Sequence, residues 1–179
     1  GREQYDLEGA IRYLKNRPEI DKNRIGVFGF SMGGAVAVLK GGDIPEIRAV
    51  VINSTFSRMS EVIKKNFRDY LPAVPFMPFG YIGLLYIRLR TGVYFPHIKP
   101  AEYISKLDPR PVLIIHGSRD ETVPSQQAFE LLKSSRGNTE LWTIPGADHH
   151  GAYKVMQEKY EKRIIDFYTK HLLAAHSQE

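Results

Sequence analysis

Ile25-Gly-Val-Phe-Gly-Phe-Ser-Met-Gly-Gly-Ala35 is a short apolar run that turns on Gly29-Phe30-Ser31-Met32-Gly33 and passes at once into a helix-forming segment. A serine at the tip of a sharp strand-to-helix turn takes strained backbone angles, and the neighbouring chain passes very close to it. Gly29 and Gly33 are expected to leave room for that approach. The turn exposes the Ser31 hydroxyl at the end of a sheet. It also aims the first free amides of the following helix, chiefly that of Met32, at the place where negative charge develops during acyl transfer. A glycine-rich turn with an N-capping serine has the same five-residue pattern. The buried strand before it and the small-residue helix start Gly33-Gly34-Ala35-Val36-Ala37 after it favour the nucleophile turn.

Outward from this turn, strands and helices alternate. Tyr5, Leu7, Ile11 and Leu14 recur at helical spacing, which predicts an amphipathic helix over about residues 4–16, stopped with the help of Pro18. Residues 35–40 form a short helix ended by Gly41-Gly42. Residues 47–53 (IRAVVIN) are too continuously apolar for a half-exposed strand and fit a parallel sheet covered on both faces. Residues 56–70 return to helical spacing, with Met59, Val62, Ile63 and Phe67 on one side. Strands are predicted at 111–116 (PVLIIH) and 140–144 (ELWTI), and helices at about 124–135 and 152–172. This alternation predicts an α/β fold, a mostly parallel sheet flanked by helices with right-handed crossovers.

One segment breaks the rhythm. Residues 71–100 are rich in aromatics, proline and glycine and carry no charge from Leu71 to Ile87. That uncharged run falls a little short of the roughly 20 residues of a membrane span, and its first half holds Pro72, Pro75 and Pro78. An insertion forming an apolar lid over the site is the preferred reading, and a packed loop over one edge of the core is the alternative. Phe30 beside the serine and Phe76, Phe79 and Tyr81 in the insertion are the expected substrate-binding wall.

The strand ends hold the remaining chemistry. His116-Gly-Ser-Arg-Asp-Glu-Thr-Val-Pro124 follows one strand and Pro145-Gly-Ala-Asp-His-His-Gly151 the next. Loops after the strands of a parallel sheet share one edge, so Ser31, Asp120 and His149 can converge. A neutral imidazole can take the serine proton during attack and return it to the leaving group. A carboxylate behind the ring fixes the tautomer and stabilises the imidazolium. Singly, each residue is also compatible with a turn or cap. The ordered set of three at strand ends carries the reading.

Gly29-Phe-Ser-Met-Gly33, His116-Gly-Ser-Arg-Asp120 with Val123-Pro124, and Pro145-Gly-Ala-Asp-His149 resemble the nucleophile, acid and histidine motifs of the α/β-hydrolase superfamily. Glu3-Gln-Tyr-Asp-Leu7, Ala10-Ile-Arg-Tyr-Leu14 and Arg17-Pro-Glu-Ile-Asp21 are similar to the helix before the nucleophile strand in its dienelactone-hydrolase-like and prolyl-oligopeptidase-like branches. The resemblance covers nearly the whole chain apart from the insertion. It implies Ser31 as nucleophile, Asp120 as acid and His149 as base, with His150 the competing histidine, and no metal or organic cofactor. The activity implied is hydrolysis of carboxylic esters or related acyl compounds. The alternatives are a serine peptidase, a thioesterase, or a catalytically silent module kept for binding or assembly.

The chain also departs from that pattern. It begins at the helix before the nucleophile strand, so the N-terminal strands are expected to be missing, along with the loop that normally gives the second oxyanion-hole amide. Loss of one such donor costs about 3–4 kcal/mol of transition-state stabilisation. The nucleophile strand would then lie at an open edge, and self-association is the expected remedy.

Composition sets the outer bounds. The 179 residues, 42% of them hydrophobic, suffice for one core, so residues 1–179 are expected to form one domain with 71–100 inserted in it. There is no cysteine, which excludes disulfides, thiol nucleophiles and cysteine metal sites. The net charge of +5 and pI of about 9.3 come from bases interspersed with acids. That is a solvated basic surface, with peripheral contact to anionic membranes open to it, and not a nucleic-acid footprint. No signal peptide is visible in the opening residues, and of the compartments the cytoplasm is favoured.

Overall fold

In the computed structural model, which describes residues 3–173, the apolar runs become four parallel strands: β1 (Ile25–Phe30), β2 (Ile47–Asn53), β3 (Val112–Gly117) and β4 (Thr139–Ile144). They lie side by side in the order β1-β2-β3-β4. Parallel neighbours cannot be joined by a tight turn, so each connection crosses a face of the sheet. The first crossover is α2 (Met32–Gly41) and the third is α5 (Gln126–Ser134). The second carries α3 (Met59–Tyr70), α4 (Phe76–Thr91) and three 3₁₀ turns. Before β1 runs α1 (Glu3–Lys15). After β4 come α6 (Ala152–Val155), α7 (Gln157–Tyr168) and a π-helical turn, Thr169–Leu173.

The two faces of the sheet are filled by different helices. Ile47, Val50 and Ile52 meet Ile11 of α1, Val38 of α2 and Leu131 of α5 on one side. Ala49 and Val51 meet Tyr160 and Phe167 of α7 on the other. Strict alternation would not put Ile47 and Val50 together. A register shift, in which Ile25 faces Ile47 but Gly26 faces Ala49, leaves Arg48 as the extra residue and flips the strand's later positions. All of β3 is buried, as a strand covered on both faces must be. The end of α2 is closed by Arg110, whose guanidinium donates to the carbonyls of Gly41, Gly42 and Ile44.

Several boundaries differ from the sequence expectation. Helix α2 begins at Met32 rather than at residue 35, because the turn runs into the helix without a spacer. Helix α3 begins at Met59 rather than 56, since Phe56 is drawn into the core and Ser57 is held by Gln127. The long C-terminal helix breaks at Met156 (φ −140°, ψ 46°) into α6 and α7. Within the insertion, Pro72 and Pro75 precede α4, and Pro78 opens its regular helical stretch. Met77 before Pro78 is extended (φ −90°, ψ 128°), and from there the helix runs to Gly92, whose left-handed conformation (φ 73°) lets its N–H close on the Arg88 carbonyl. Among the described residues no helix is long and apolar enough to cross a membrane.

Candidate active site

The Ser31 turn is strained and crowded. Ser31 has φ 49° and ψ −112°, outside the regions that side-chain-bearing residues populate, at a cost of order 1–3 kcal/mol. Its N–H donates to the Asn53 carbonyl of β2 at 2.8 Å, and its carbonyl accepts the first helical bond from Ala35. A Cβ on Gly29 would lie 2.6 Å from the backbone of Gly33 and Gly34, so this position admits only glycine. Gly33 corrects the sequence reading, because a Cβ there would meet nothing within 4 Å. The crowded partner is Gly34, where a Cβ would sit 1.9 Å from Thr55 Oγ1. The helix thus enters pressed against the residues that follow β2.

His149 reaches Ser31 from the loop after β4, and Asp120 stands behind it from the loop after β3. Gly117 lets the loops after β3 and β4 touch, since its Cβ would lie 2.4 Å from the Ala147 carbonyl oxygen. His149 Nδ1 lies 2.8 Å from Asp120 Oδ2, and His149 Nε2 lies 3.2 Å from Ser31 Oγ. A carboxylate can only accept, so Nδ1 carries the proton and Nε2 offers its lone pair to the serine hydroxyl. The other Asp120 oxygen accepts the Val123 N–H at 2.7 Å. Burial by itself would raise the Asp120 pKa. Hydrogen bonds from His116, His149 and the Val123 amide outweigh it and hold the carboxyl well below the usual carboxylate range.

The sequence singled out one histidine too few. His116, fully buried at the end of β3, shares its Nε2–H between the Val123 carbonyl at 2.8 Å and Asp120 Oδ2 at 3.3 Å. Its Nδ1 is buried without a partner among the described residues. The ring ties the Asp120 loop to its strand. A second missed group is the buried polar run Asn53-Ser54-Thr55. Ser54, in a left-handed conformation (φ 52°), donates its hydroxyl proton within 3.0 Å of both the Asn53 side chain and the His149 carbonyl. Thr55 lies against the Ser31 turn, and the Asn53 amide donates to Tyr160 Oη at 2.8 Å. The legible signal was three polar residues placed directly after a strand buried on both faces.

The remaining expected residues are scattered. Phe30 packs its ring on both His149 and His150, with centroids 5.2 and 5.3 Å apart. His150 is exposed, and its amide is held by Asp148 Oδ1. Met32 is the first residue of α2, where amides have no intrahelical acceptor. Its side chain joins Ala35, Phe56, Val62 and Val123 in a small apolar cluster with Ile98 of the insertion. A cavity of about 140 Å³ beside Met32 is lined by Val36, Leu39, Val93, Phe95 and Ile98 among others. Phe76, Phe79 and Tyr81 are not in that lining. Phe76 instead packs edge-on against Phe67 and Tyr81, and Phe79 is exposed. The insertion meets the site through its return segment, because α4 rides outward on α3 while residues 93–98 come back across α2. Among the described residues no group of three histidine or acidic side chains is placed to hold a metal ion.

This arrangement has known counterparts. The profile of the prolyl oligopeptidase family matches residues 1–175. The chain is 32% identical over 166 residues to protein bem46 of Schizosaccharomyces pombe, covering 90% of this chain and 49% of that protein. It is 27% identical over 165 residues to the uncharacterized protein YfhR of Escherichia coli strain K12, covering 90% and 51%. Among solved structures it superposes on the Pyrococcus furiosus esterase PF2001 with a TM-score of 0.73 at 25% identity, over 96% of this chain and 63% of that one. The chain thus spans about half the length of the curated relatives it matches. With the strand order, the strained serine turn and a profile match over nearly its whole length, the chain belongs to the prolyl oligopeptidase family of the α/β-hydrolase superfamily.

Proposed function

We propose that this chain carries the catalytic residues of a serine hydrolase acting on carboxylic esters or related acyl compounds. The observation that supports this best is the continuous hydrogen-bonded line from Ser31 Oγ through the His149 ring to a buried, ionised Asp120. In this reading His149 Nε2 accepts the Ser31 proton as Oγ attacks the acyl carbon. The tetrahedral oxyanion lies at the Met32 N–H, and His149 returns the proton to the leaving alcohol. An acyl-Ser31 intermediate remains, and His149 activates water to release it by the reverse sequence. Asp120 keeps the imidazole in the Nδ1–H tautomer throughout.

The likeness to the Pyrococcus furiosus esterase at 25% identity favours esters over peptides. The small apolar cavity beside Met32 favours an apolar acyl or alcohol group. The test is hydrolysis of short p-nitrophenyl esters by the full-length protein, with the quenched reaction searched by mass for an acyl adduct on the peptide containing Ser31. The reading predicts turnover and an adduct, both lost in Ser31→Ala. Turnover that survives in Ser31→Ala rejects it. A native chain with neither turnover nor adduct supports the silent-module alternative.

A further inference from the structure

Among the described residues, exposed large apolar side chains are concentrated on α4, outside the Ser31–His149–Asp120 line. Only Gly80 and Leu84 of this helix are buried, while Met77, Ile82, Tyr86 and Leu89 are each 59–77% exposed. Phe79 and Leu85 are also more than half exposed. Isolated exposed apolar residues are ordinary, but a contiguous helix of them marks a surface meant to be covered. The rim of this surface is predominantly basic, with Asp69 beside Arg68 paired to Lys65. No acid occurs from Tyr70 to Ala101, and Lys64 and Arg68 of α3 with Arg88 and Arg90 of α4 are exposed, with no acidic partner among the described residues. Tyrosines stand in the same patch, at Tyr70, Tyr81 and Tyr86.

We propose that α4 seats the protein on an anionic lipid surface. Its apolar and aromatic side chains enter the boundary between headgroups and acyl chains, and Arg68, Arg88 and Arg90 meet the anionic headgroups. The charge of the rim selects this occupant. A second copy placed symmetrically on the same face would set these unpaired cations against one another, whereas an anionic bilayer complements all of them at once. α4 rests on the protein through Gly80 and Leu84, which leaves most of its remaining apolar side chains facing outward. Docking would also bear on the site. Phe76 of α4 packs on Phe67 of α3, and Asn66 of α3 donates to the Thr122 carbonyl in the loop that carries Asp120. These contacts link α4 to the loop that carries Asp120.

Sedimentation of the full-length protein with vesicles tests this, using phosphatidylcholine alone and an equimolar mixture with phosphatidylglycerol. Binding is expected to the mixed vesicles and to weaken with added salt. Arg88→Glu with Arg90→Glu is expected to lower partitioning roughly tenfold or more, and Leu85→Asp with Tyr86→Asp to abolish it. Melting curves like those of the native protein establish that these exposed substitutions leave the fold intact. Ser31→Ala is expected to bind as the native protein does, so the lipid surface and the hydrolase reading stand or fall separately. Four results overturn the proposal: equal binding to both vesicle types, native-like binding by the α4 variants, Tyr86 and Leu89 side chains already shielded from hydroxyl-radical labelling in the lipid-free full-length protein, or α4 variants that only dissolve a dimer.

Discussion

His149 can accept a proton only while Nε2 is bare, and that state depends on a carboxylate at Nδ1. Asp120 meets the requirement because three donors converge on it, from His116, His149 and the Val123 amide. A carboxyl whose folded pKa lies below its unfolded value, about 3.9, stabilises the fold above that value. The contribution is lost as the pH falls through the lower, folded value. Asp120→Asn lacks this contribution, so the stability gap between it and the native protein is expected to be widest near neutrality and to narrow below about pH 4. Urea midpoints on either side of that pH check it, and a gap that stays constant argues against an ionised, hydrogen-bonded Asp120. The glycines of the turn give a second test. Gly34→Ala drives a methyl into Thr55 and is expected to destabilise by about 1–3 kcal/mol or more, while Gly33→Ala is expected to be near neutral. Chemical denaturation that ranks them the other way removes this account of the turn. The sequence pointed to Ser31, Asp120 and His149 because each sits in a short motif after an apolar run. His116 and Ser54 escaped because their partners, the Val123 and His149 carbonyls, are backbone groups that no residue pattern records.

At the scale of elements, the buried strands were legible and the insertion was not. β2 and β3 fall where continuous apolar β-branched runs predict them, since a strand covered on both faces leaves an unambiguous mark, whereas β1, expected to be buried, leaves Gly26 and Phe28 exposed. α4 left none, because its apolar residues encircle the helix instead of marking one face, and its prolines read as a loop until the structure shows Pro72 and Pro75 before it and Pro78 opening its regular stretch. The consequence is a shift of the expected substrate wall from Phe79 and Tyr81 to Phe95 and Ile98. Phe95→Ala and Ile98→Ala are expected to raise KM for acyl-chain esters several-fold, whereas Phe79→Ala and Tyr81→Ala leave it unchanged in the absence of lipid. Steady-state kinetics on esters of increasing acyl length decides between the two walls.

For the whole molecule, the decisive features are the free edge of the sheet and the convergence of three loops at one end. Among the described residues β1 pairs only with β2, and Phe28 is nearly half exposed. An apolar edge of this kind pairs with another strand when one is available. For residues 1–179 alone we propose pairing with a second copy, so sedimentation at micromolar concentration is expected to give a dimer with slowed exchange at the Phe28 amide, which faces away from β2. A stable monomer with fast exchange there contradicts it. The parallel sheet and its helical crossovers followed from alternation in the sequence, but the strand order and the closeness of the loops after β3 and β4 required coordinates, the latter because Gly117 permits it only through contact with the Ala147 backbone. The central claim is that this convergence activates Ser31. Mass mapping after treatment with an alkyl fluorophosphonate measures that most directly. The account predicts a single adduct on Ser31, absent in Ser31→Ala and formed at least ~10³-fold more slowly in His149→Ala. No adduct on the native protein, or one whose rate is indifferent to His149, would contradict it.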